Sequence, residues 1–296
     1  MSGPGPDGDS DDLNGLVFLQ SHYIPEEVLS LILSYVDPKS LVFNCRLVCK
    51  MWKYLIDEDV WRILLRTAKQ RSVSKLSLTE RMALKLPWYT YYTIFKFDPF
   101  ETNLIRNHCG QKKMKYWFTG EKMKRAKVTS NGWEIETVPV GSDPLPNHED
   151  FDNCTSCFVT SYSKVEKYQI VNLKSFGIST KIMDEHQPTI IASEWYAGRF
   201  DCGCKYQMTV SLLDGDKNVL HEKQSPVQIV HQWEGRAWEK VELTFDDYGP
   251  NVRYIKFDHE GKDTQFWAGH YGSKMSGAVL KISLPVLKNS DSEELV

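Results

Sequence analysis

Four cysteines are spaced so that they could share a metal ion, Cys154-x-x-Cys157 and Cys202-x-Cys204. Thiolate zinc sites favour about two to four residues between the ligands of each pair. The second pair is tighter than that and lies in strand-like sequence. All seven cysteines (45, 49, 109, 154, 157, 202 and 204) are therefore expected as free thiols, and no metal ligand is expected. Asp246-Asp247 offers the two carboxylates that glycoside hydrolysis needs, but adjacent residues on a strand point to opposite faces. No His-Glu-x-x-His, Gly-x-Ser-x-Gly or P-loop pattern occurs. No catalytic residue and no cofactor are expected. A basic run of Lys112, Lys113, Lys115, Lys122, Lys124, Arg125 and Lys127 encloses Tyr116, Trp117 and Phe118, the pattern of a nucleic-acid surface. The overall charge of −3 opposes it. The run reads as a solvated loop face, with no nucleic-acid partner.

The elements around these residues set the scale. The chain has 296 residues, enough for about two domains, with 41% apolar and 25% charged residues. This composition excludes a disordered chain, a fibre and a disulfide scaffold. Aromatics make up 12% and gather after Trp88, which suits a packed β core or a ligand surface. No run of about 18 apolar residues is present, so no membrane insertion is expected. The N-terminus lacks a basic segment followed by an apolar one, so no secretory signal is read and a cytosolic or nuclear chain is expected. Residues 1–18 and 288–296 are Gly/Pro/Asp-rich or acidic and are expected as disordered tails.

From Pro25 to Arg66 the period is helical. Pro25 suits a first turn, and Glu26 and Glu27 suit the positive end of the helix dipole. Val28, Leu29, Ile32, Leu33 and Val36 form one apolar stripe, which Asp37-Pro38 ends. A second run carries Leu41, Val42, Cys45, Val48, Cys49 and Trp52, and a third carries Leu55, Ile56, Trp61, Leu64 and Leu65. Three short helices over about 40 residues make a core that is marginal alone. Ile24-Pro25-Glu26-Glu27-Val28-Leu29, Cys45-Arg46-Leu47-Val48-Cys49-Lys50-Met51-Trp52 and Val60-Trp61 closely resemble an F-box, placed at residues 19–66. Ile24 stands where that family usually has leucine. The resemblance implies docking onto the ubiquitin-ligase adaptor Skp1, and through it onto a cullin-RING ligase. The contacts it implies are Ile24, Pro25, Leu29, Ile32, Leu33, Val48 and Trp52. The helical period alone leaves open whether each of these meets a second chain or fills the unit's own core.

Residues 67–99 form a bridge, with a basic helical stretch over Lys69–Leu86 and then Trp88, Tyr89, Tyr91, Tyr92, Phe95 and Phe97. A helix with aromatics at both ends would hold two domains stiffly, unlike a Gly/Ser linker. From Phe100 to Leu287 the period changes to two, in Trp133–Val138, Tyr206–Leu212, Val241–Phe245, Tyr254–Phe257 and Val279–Leu284. Turns such as Asp214-Gly215-Asp216-Lys217-Asn218 and Asp246-Asp247-Tyr248-Gly249-Pro250 separate these segments. The fold class expected is multidomain α + β, with a three-helix unit, a helical linker and an antiparallel β-sandwich that carries one short helical excursion within Asn172–Glu185.

Asn103-Leu104-Ile105-Arg106-Asn107, Asn131-Gly132-Trp133, Glu194-Trp195-Tyr196-Ala197-Gly198-Arg199, Phe245–Arg253 and Phe266-Trp267-Ala268-Gly269-His270-Tyr271-Gly272 occur in one order over residues 100–287. They resemble the F-box-associated domain of the sugar-recognising F-box proteins. The resemblance implies a jelly-roll-like sandwich of about ten strands that holds the chitobiose core of high-mannose N-glycans at one end. It places the carbohydrate contacts at Phe266, Trp267 and Ala268, with a second aromatic at Tyr162. Trp267 supplies a flat face for the C–H side of a pyranose, and Tyr162 a wall with a hydroxyl. The chain departs from the pattern where Phe266 lacks a tyrosine hydroxyl, Ala268 lacks a lysine ammonium, and Pro144 stands about where the family has a rim asparagine. Each lost neutral hydrogen bond is worth about 0.5–1.5 kcal/mol, so a weaker or differently selective site is expected. The resemblance therefore implies the substrate receptor of a ubiquitin ligase acting on glycoproteins in the cytoplasm for ER-associated degradation. The alternative is a receptor whose sandwich binds a protein epitope.

Overall fold

The structure, a computed structural model, describes residues 18–19, 22–119 and 132–285. The expected tails (Phe18 apart), and Lys122, Lys124, Arg125, Lys127 and Asn131 of the motifs above, lie outside the described residues. The chain divides into two compact units, one ending at Asp98 and the other spanning Pro99–Pro285.

The first unit opens with a two-residue antiparallel pair, β1 (Phe18–Leu19) and β2 (His22–Tyr23). Helix α1 (Glu26–Leu33) begins one residue after Pro25, with both glutamates in its first turn. Helix α2 (Pro38–Phe43) is capped by Asp37, whose carboxylate accepts from the Lys39 and Ser40 amides. These bonds, with the Ser40 side chain first, hold that carboxyl below its usual range. A 3-10 turn at Cys45–Leu47 follows, and then α3 (Lys50–Leu55), a π turn over Ile56–Val60 and α4 (Trp61–Arg66). The second break thus falls before Lys50. The sequence run that ends on Trp52 is divided, and Trp52 and Trp61 share one continuous helical rod. Arg46 clamps that rod through a bidentate pair with Asp57 at 2.7 and 2.9 Å.

Residues 67–98 build onto the same unit as α5 (Arg71–Ser74), α6 (Leu78–Ala83) and α7 (Trp88–Phe97). Ser77 and Glu80 close a capping box at the start of α6. The stretch 69–86 is therefore two short helices, where the basic run suggested one. The aromatic run folds back, so that Tyr91 and Phe95 stack on the buried Trp61 at 6.1 and 5.9 Å. Asp98 ends α7 in the left-handed region and caps α5, accepting from the Ser72 amide and hydroxyl.

The second unit is an antiparallel β-sandwich. One sheet has the order β10-β8-β12-β6-β3, with β9 also paired to β8. Its strands are β3 (Phe118–Thr119), β6 (Val165–Asn172), β8 (Cys204–Leu213), β9 (Val219–Gln224), β10 (Gln228–Val230) and β12 (Tyr254–Asp263). The other sheet has the order β11-β7-β13-β5-β4, from β4 (Trp133–Glu136), β5 (Cys157–Thr160), β7 (Ile190–Ala197), β11 (Glu239–Phe245) and β13 (Lys274–Ile282). A 3-10 turn (Leu173–Phe176) and α8 (Thr180–Glu185) make the helical excursion between β6 and β7. The alternation read from the sequence matches the inward faces of β8 and β12, whereas β13 is buried at nearly every residue. In β12, Ile255, Phe257, His259, Gly261 and Asp263 are all buried.

A polar chain crosses the core. The Lys167 amine on β6 donates to Nε2 of His259 on β12 at 2.5 Å, and His259 Nδ1 meets the Glu194 carboxylate on β7. The Tyr206 hydroxyl on β8 donates to the same carboxylate at 2.7 Å. Trp117 stacks on His259 at 4.7 Å, and the Lys167 amine lies 3.6 and 3.4 Å from the Trp117 and Phe158 ring centres.

Burial holds His259 down at about 4, and it lowers His108 and His186 as well. Each imidazole is thus neutral in the fold, and unfolding restores the ordinary value of 6.5. Below that value the unfolded chain binds more protons than the native one. This contribution to stability is complete above pH 6.5 and is lost as the pH falls towards 4. Urea midpoints measured between about pH 7 and pH 4.5 are expected to fall steadily. A flat profile would contradict buried neutral imidazoles. Glu194→Ala, which strands the His259 ring N–H and the Tyr206 hydroxyl, is expected to cost about 1–3 kcal/mol for each stranded group in the same assay.

Candidate functional site

The tip of the sandwich is set by one buried acid. Asp263 closes β12, and its carboxylate turns back to accept from the backbone amides of Phe266 at 2.8 Å and Trp267 at 3.2 Å. This bends the β12–β13 loop sharply, with Phe266 in the left-handed region at φ 55°. The two side chains are thrown outward, Phe266 70% and Trp267 39% exposed. Trp267 is steadied by an edge-to-face contact with Tyr271 at 5.8 Å, and the Arg199 guanidinium lies 5.0 Å from the Tyr271 ring.

The β5–β6 loop is stitched to this one. The Asp263 amide donates to the Ser161 carbonyl at 3.0 Å, and the Gly272 amide donates to the Thr160 carbonyl at 2.9 Å. A side chain at Gly272 would stand 2.2 Å from the Thr160 hydroxyl, so only glycine permits this approach. Tyr162, next along the stitched loop, is 46% exposed. The structure therefore brings Tyr162, Phe266, Trp267 and Ala268 to one end, with all four side chains exposed. Pro144 is exposed in the β4–β5 loop, beside an Asp143–Arg236 ion pair at 2.9 Å.

Two aromatics at the same end escaped the sequence reading. Phe200 and Trp233 are exposed and meet edge to face at 5.5 Å. Their loops are tied by the Trp233 amide donating to the Phe200 carbonyl, and they join the tip where the Thr264 amide donates to the Gly203 carbonyl at 2.9 Å. Between them Arg199 and Asp201 form a bidentate pair at 2.5 and 3.2 Å, which holds the Asp201 carboxyl below its usual range. Turn residues around Trp233, in Gln232-Trp233-Glu234-Gly235, were the available signal. The tip thus combines an aromatic platform with a fixed acid and base at its side, a surface suited to a polyhydroxylated ring.

Other sequence candidates resolve differently. Cys154, Cys157, Cys202 and Cys204 form no common cluster among the described residues. Asp246 accepts from the Thr189 hydroxyl, and Asp247 sits in a turn at φ 49°. Trp117 of the basic run is a core residue, stacked on His259.

On the helical unit, Pro25, Ile32 and Val48 are exposed, and Ile24 and Trp52 are partly so. Leu29 and Leu33 are not on that surface: they are buried, with Leu41, Leu55 and Trp61. The stripe read from sequence covers a wider arc than one face, and its deeper half is core. Val28, Leu31, Tyr35, Phe43 and Leu47 extend the exposed apolar surface.

Residues 22–67 match the F-box-like family model, and residues 95–282 match the F-box associated region. The chain is an F-box protein with an F-box-associated region. This F-box protein is 34% identical to F-box only protein 6 of Bos taurus over 93% of its own length and 97% of that protein. It is 32% identical to F-box only protein 27 of Mus musculus, covering 86% of its length and 88% of the relative. Solved structures similar to it include TmCBM61 in complex with beta-1,4-galactotriose, at a TM-score of 0.37 and 12% identity over 62% of this chain and 100% of that one. That likeness is distant and adds nothing to the assignment.

The Asp263 clamp predicts a local effect. Asp263→Ala leaves two loop amides without their acceptor, at a cost of about 1–3 kcal/mol. Hydrogen exchange is expected to accelerate at Phe266 and Trp267. Unchanged protection there would remove the clamp.

Proposed function

We propose that this F-box protein is the substrate-recognition subunit of a Skp1–cullin–F-box ubiquitin ligase. Its helical unit holds Skp1, and the sandwich tip captures proteins bearing N-linked high-mannose glycans through their chitobiose core. Captured glycoproteins are ubiquitinated in the cytoplasm for ER-associated degradation. The observation that carries the reading is the pair Phe266 and Trp267, turned outward on an amide-clamped loop stitched to Tyr162. An indole face packs against the axial C–H groups of a pyranose, and the Tyr162 hydroxyl and the Arg199–Asp201 pair supply polar partners.

The protein itself performs no covalent step. Carrying both binding surfaces on one chain makes the encounter of substrate lysines with a ligase-bound ubiquitin effectively intramolecular. A second reading, in which the tip binds a protein epitope, is favoured by the small apolar Ala268 and by the exposed Phe200–Trp233 pair.

Titration with chitobiose separates the two readings. Wild type is expected to bind, and Trp267→Ala to lose at least about tenfold in affinity, equivalent to about 1.4 kcal/mol. Capture of glycoproteins from lysate is expected to vanish after enzymatic deglycosylation. Capture that survives deglycosylation would establish the epitope reading instead. On the helical unit, Ile32→Asp with Val48→Asp is expected to abolish Skp1 co-purification. Undiminished co-purification would exclude that face.

A further inference from the structure

Three metal-ligating groups from separate parts of the sequence converge outside the tip. The ligand atoms of His108, Cys109 and Cys154 all lie within 4.8 Å of one another. His108 and Cys109 precede Gly110, in the segment that leads towards β3. Cys154 is brought over them by a tight turn, in which its amide donates to the Phe151 carbonyl at 2.8 Å and Asp152 and Asn153 are both left-handed. Cys109 is fully buried, while His108 and Cys154 are partly open to solvent.

From this convergence we propose a zinc site in which Cys109 and Cys154 as thiolates and His108 as imidazole hold the ion, with the fourth position open to water.

Four features support it. Nε2 of His108 is buried and has no hydrogen-bond partner in the fold. The ring is steadied at its other side by the Phe151 carbonyl, the arrangement that orients a metal-bound imidazole. The Gly277 amide lies against the Cys109 sulfur, where it stabilises a thiolate, while the Ser276 hydroxyl donates to the Ser156 carbonyl at 2.9 Å. The carboxylate of Asp152 places negative charge near both His108 and Cys154.

Two thiolates and one imidazole with an open position form a recurrent zinc ligand set. Before the ion enters, both cysteines are thiols. Binding is then an exchange: one Zn2+ enters, two S–H bonds are lost, two Zn–S bonds and one Zn–N bond form, and two protons leave to solvent. Affinity therefore rises with pH.

The full chain, kept reduced, is titrated with Co2+ as a spectroscopic probe and then with Zn2+. One equivalent of Co2+ is expected to give a thiolate-to-cobalt charge-transfer band. Zn2+ is expected to displace it, with proton release read by a pH indicator. Cys154→Ser and His108→Asn are expected to weaken binding by at least about tenfold. Cys202→Ser, whose thiol lies elsewhere, is expected to leave binding unchanged. Metal-free melting curves confirm that each variant folds. Because Cys154 and His108 are not fully buried, these substitutions spare the core, unlike one at Cys109. The site is overturned by absence of the band or by wild-type binding in both variants.

Discussion

The sandwich depends on one carboxylate. Glu194 stands on β7 in one sheet, and its partners His259 and Tyr206 stand on β12 and β8 in the other, with Lys167 beyond. Burying such groups costs several kcal/mol each unless every one is met. The bonds that meet them, of which both at Glu194 are through Oε2, form together only when the two sheets face each other in a single register. A slip of one residue in β12 would turn His259 and Asp263 to the outer face and leave Glu194 stranded. The aromatic rings packed around the chain serve the same end. Trp117, Phe158 and Trp133 surround Lys167 and exclude the water that would otherwise compete for its amine. Apolar packing alone would tolerate neighbouring registers. The polar chain does not.

That constraint is carried to the tip by β12. His259, Gly261 and Asp263 alternate along one face of the strand, so the residue that fixes the core and the residue that fixes the loop belong to the same rigid element. Asp263 uses both oxygens on loop amides, and its own amide ties the Tyr162 loop. The proposed recognition surface is ordered by the fold itself. A preordered aromatic platform gives up little conformational freedom on binding, which matters most for a weakly held ligand such as a sugar. This bears on the loss of polar groups at Phe266 and Ala268. Where side-chain donors are few, affinity rests more heavily on the flat faces and on how firmly they are held.

Much of this was legible in the sequence, and the limits have physical causes. The Asp37-Pro38 break, the change of period after Phe100 and the aromatic pair at Phe266-Trp267 are local signals, and they lie where the sequence places them. The division of the second helix was not legible, because Cys49 caps α3 through its thiol, a weak acceptor that sequence patterns do not mark. The fate of Leu29 and Leu33 against Ile32 was not legible either. All three lie on one stripe, and only the packing of α1 on the Ile56–Val60 turn decides which part is covered. Cysteine spacing pointed to 154/157 and 202/204, whereas the fold gathers 154 with 109. Spacing reports proximity along the chain, and a sandwich made of crossing connections brings distant segments together.

The aromatic bridge changes how the helical unit should be understood. Three helices of about 40 residues cannot bury enough surface to be stable alone. Here the deficit is met within the chain, because α7 lays Tyr91 and Phe95 on Trp61, Tyr91 donates to the Leu84 carbonyl, and Arg81 bonds the carbonyls of Ala68, Ser74 and Leu76. With the core closed by residues 67–98, the exposed Val28, Leu31, Ile32, Phe43, Leu47 and Val48 are not the edge of an unfinished core. Exposed apolar residues on an already closed unit suit the partner proposed above. Because Leu29 and Leu33 are buried beneath them, covering that surface would leave the core undisturbed.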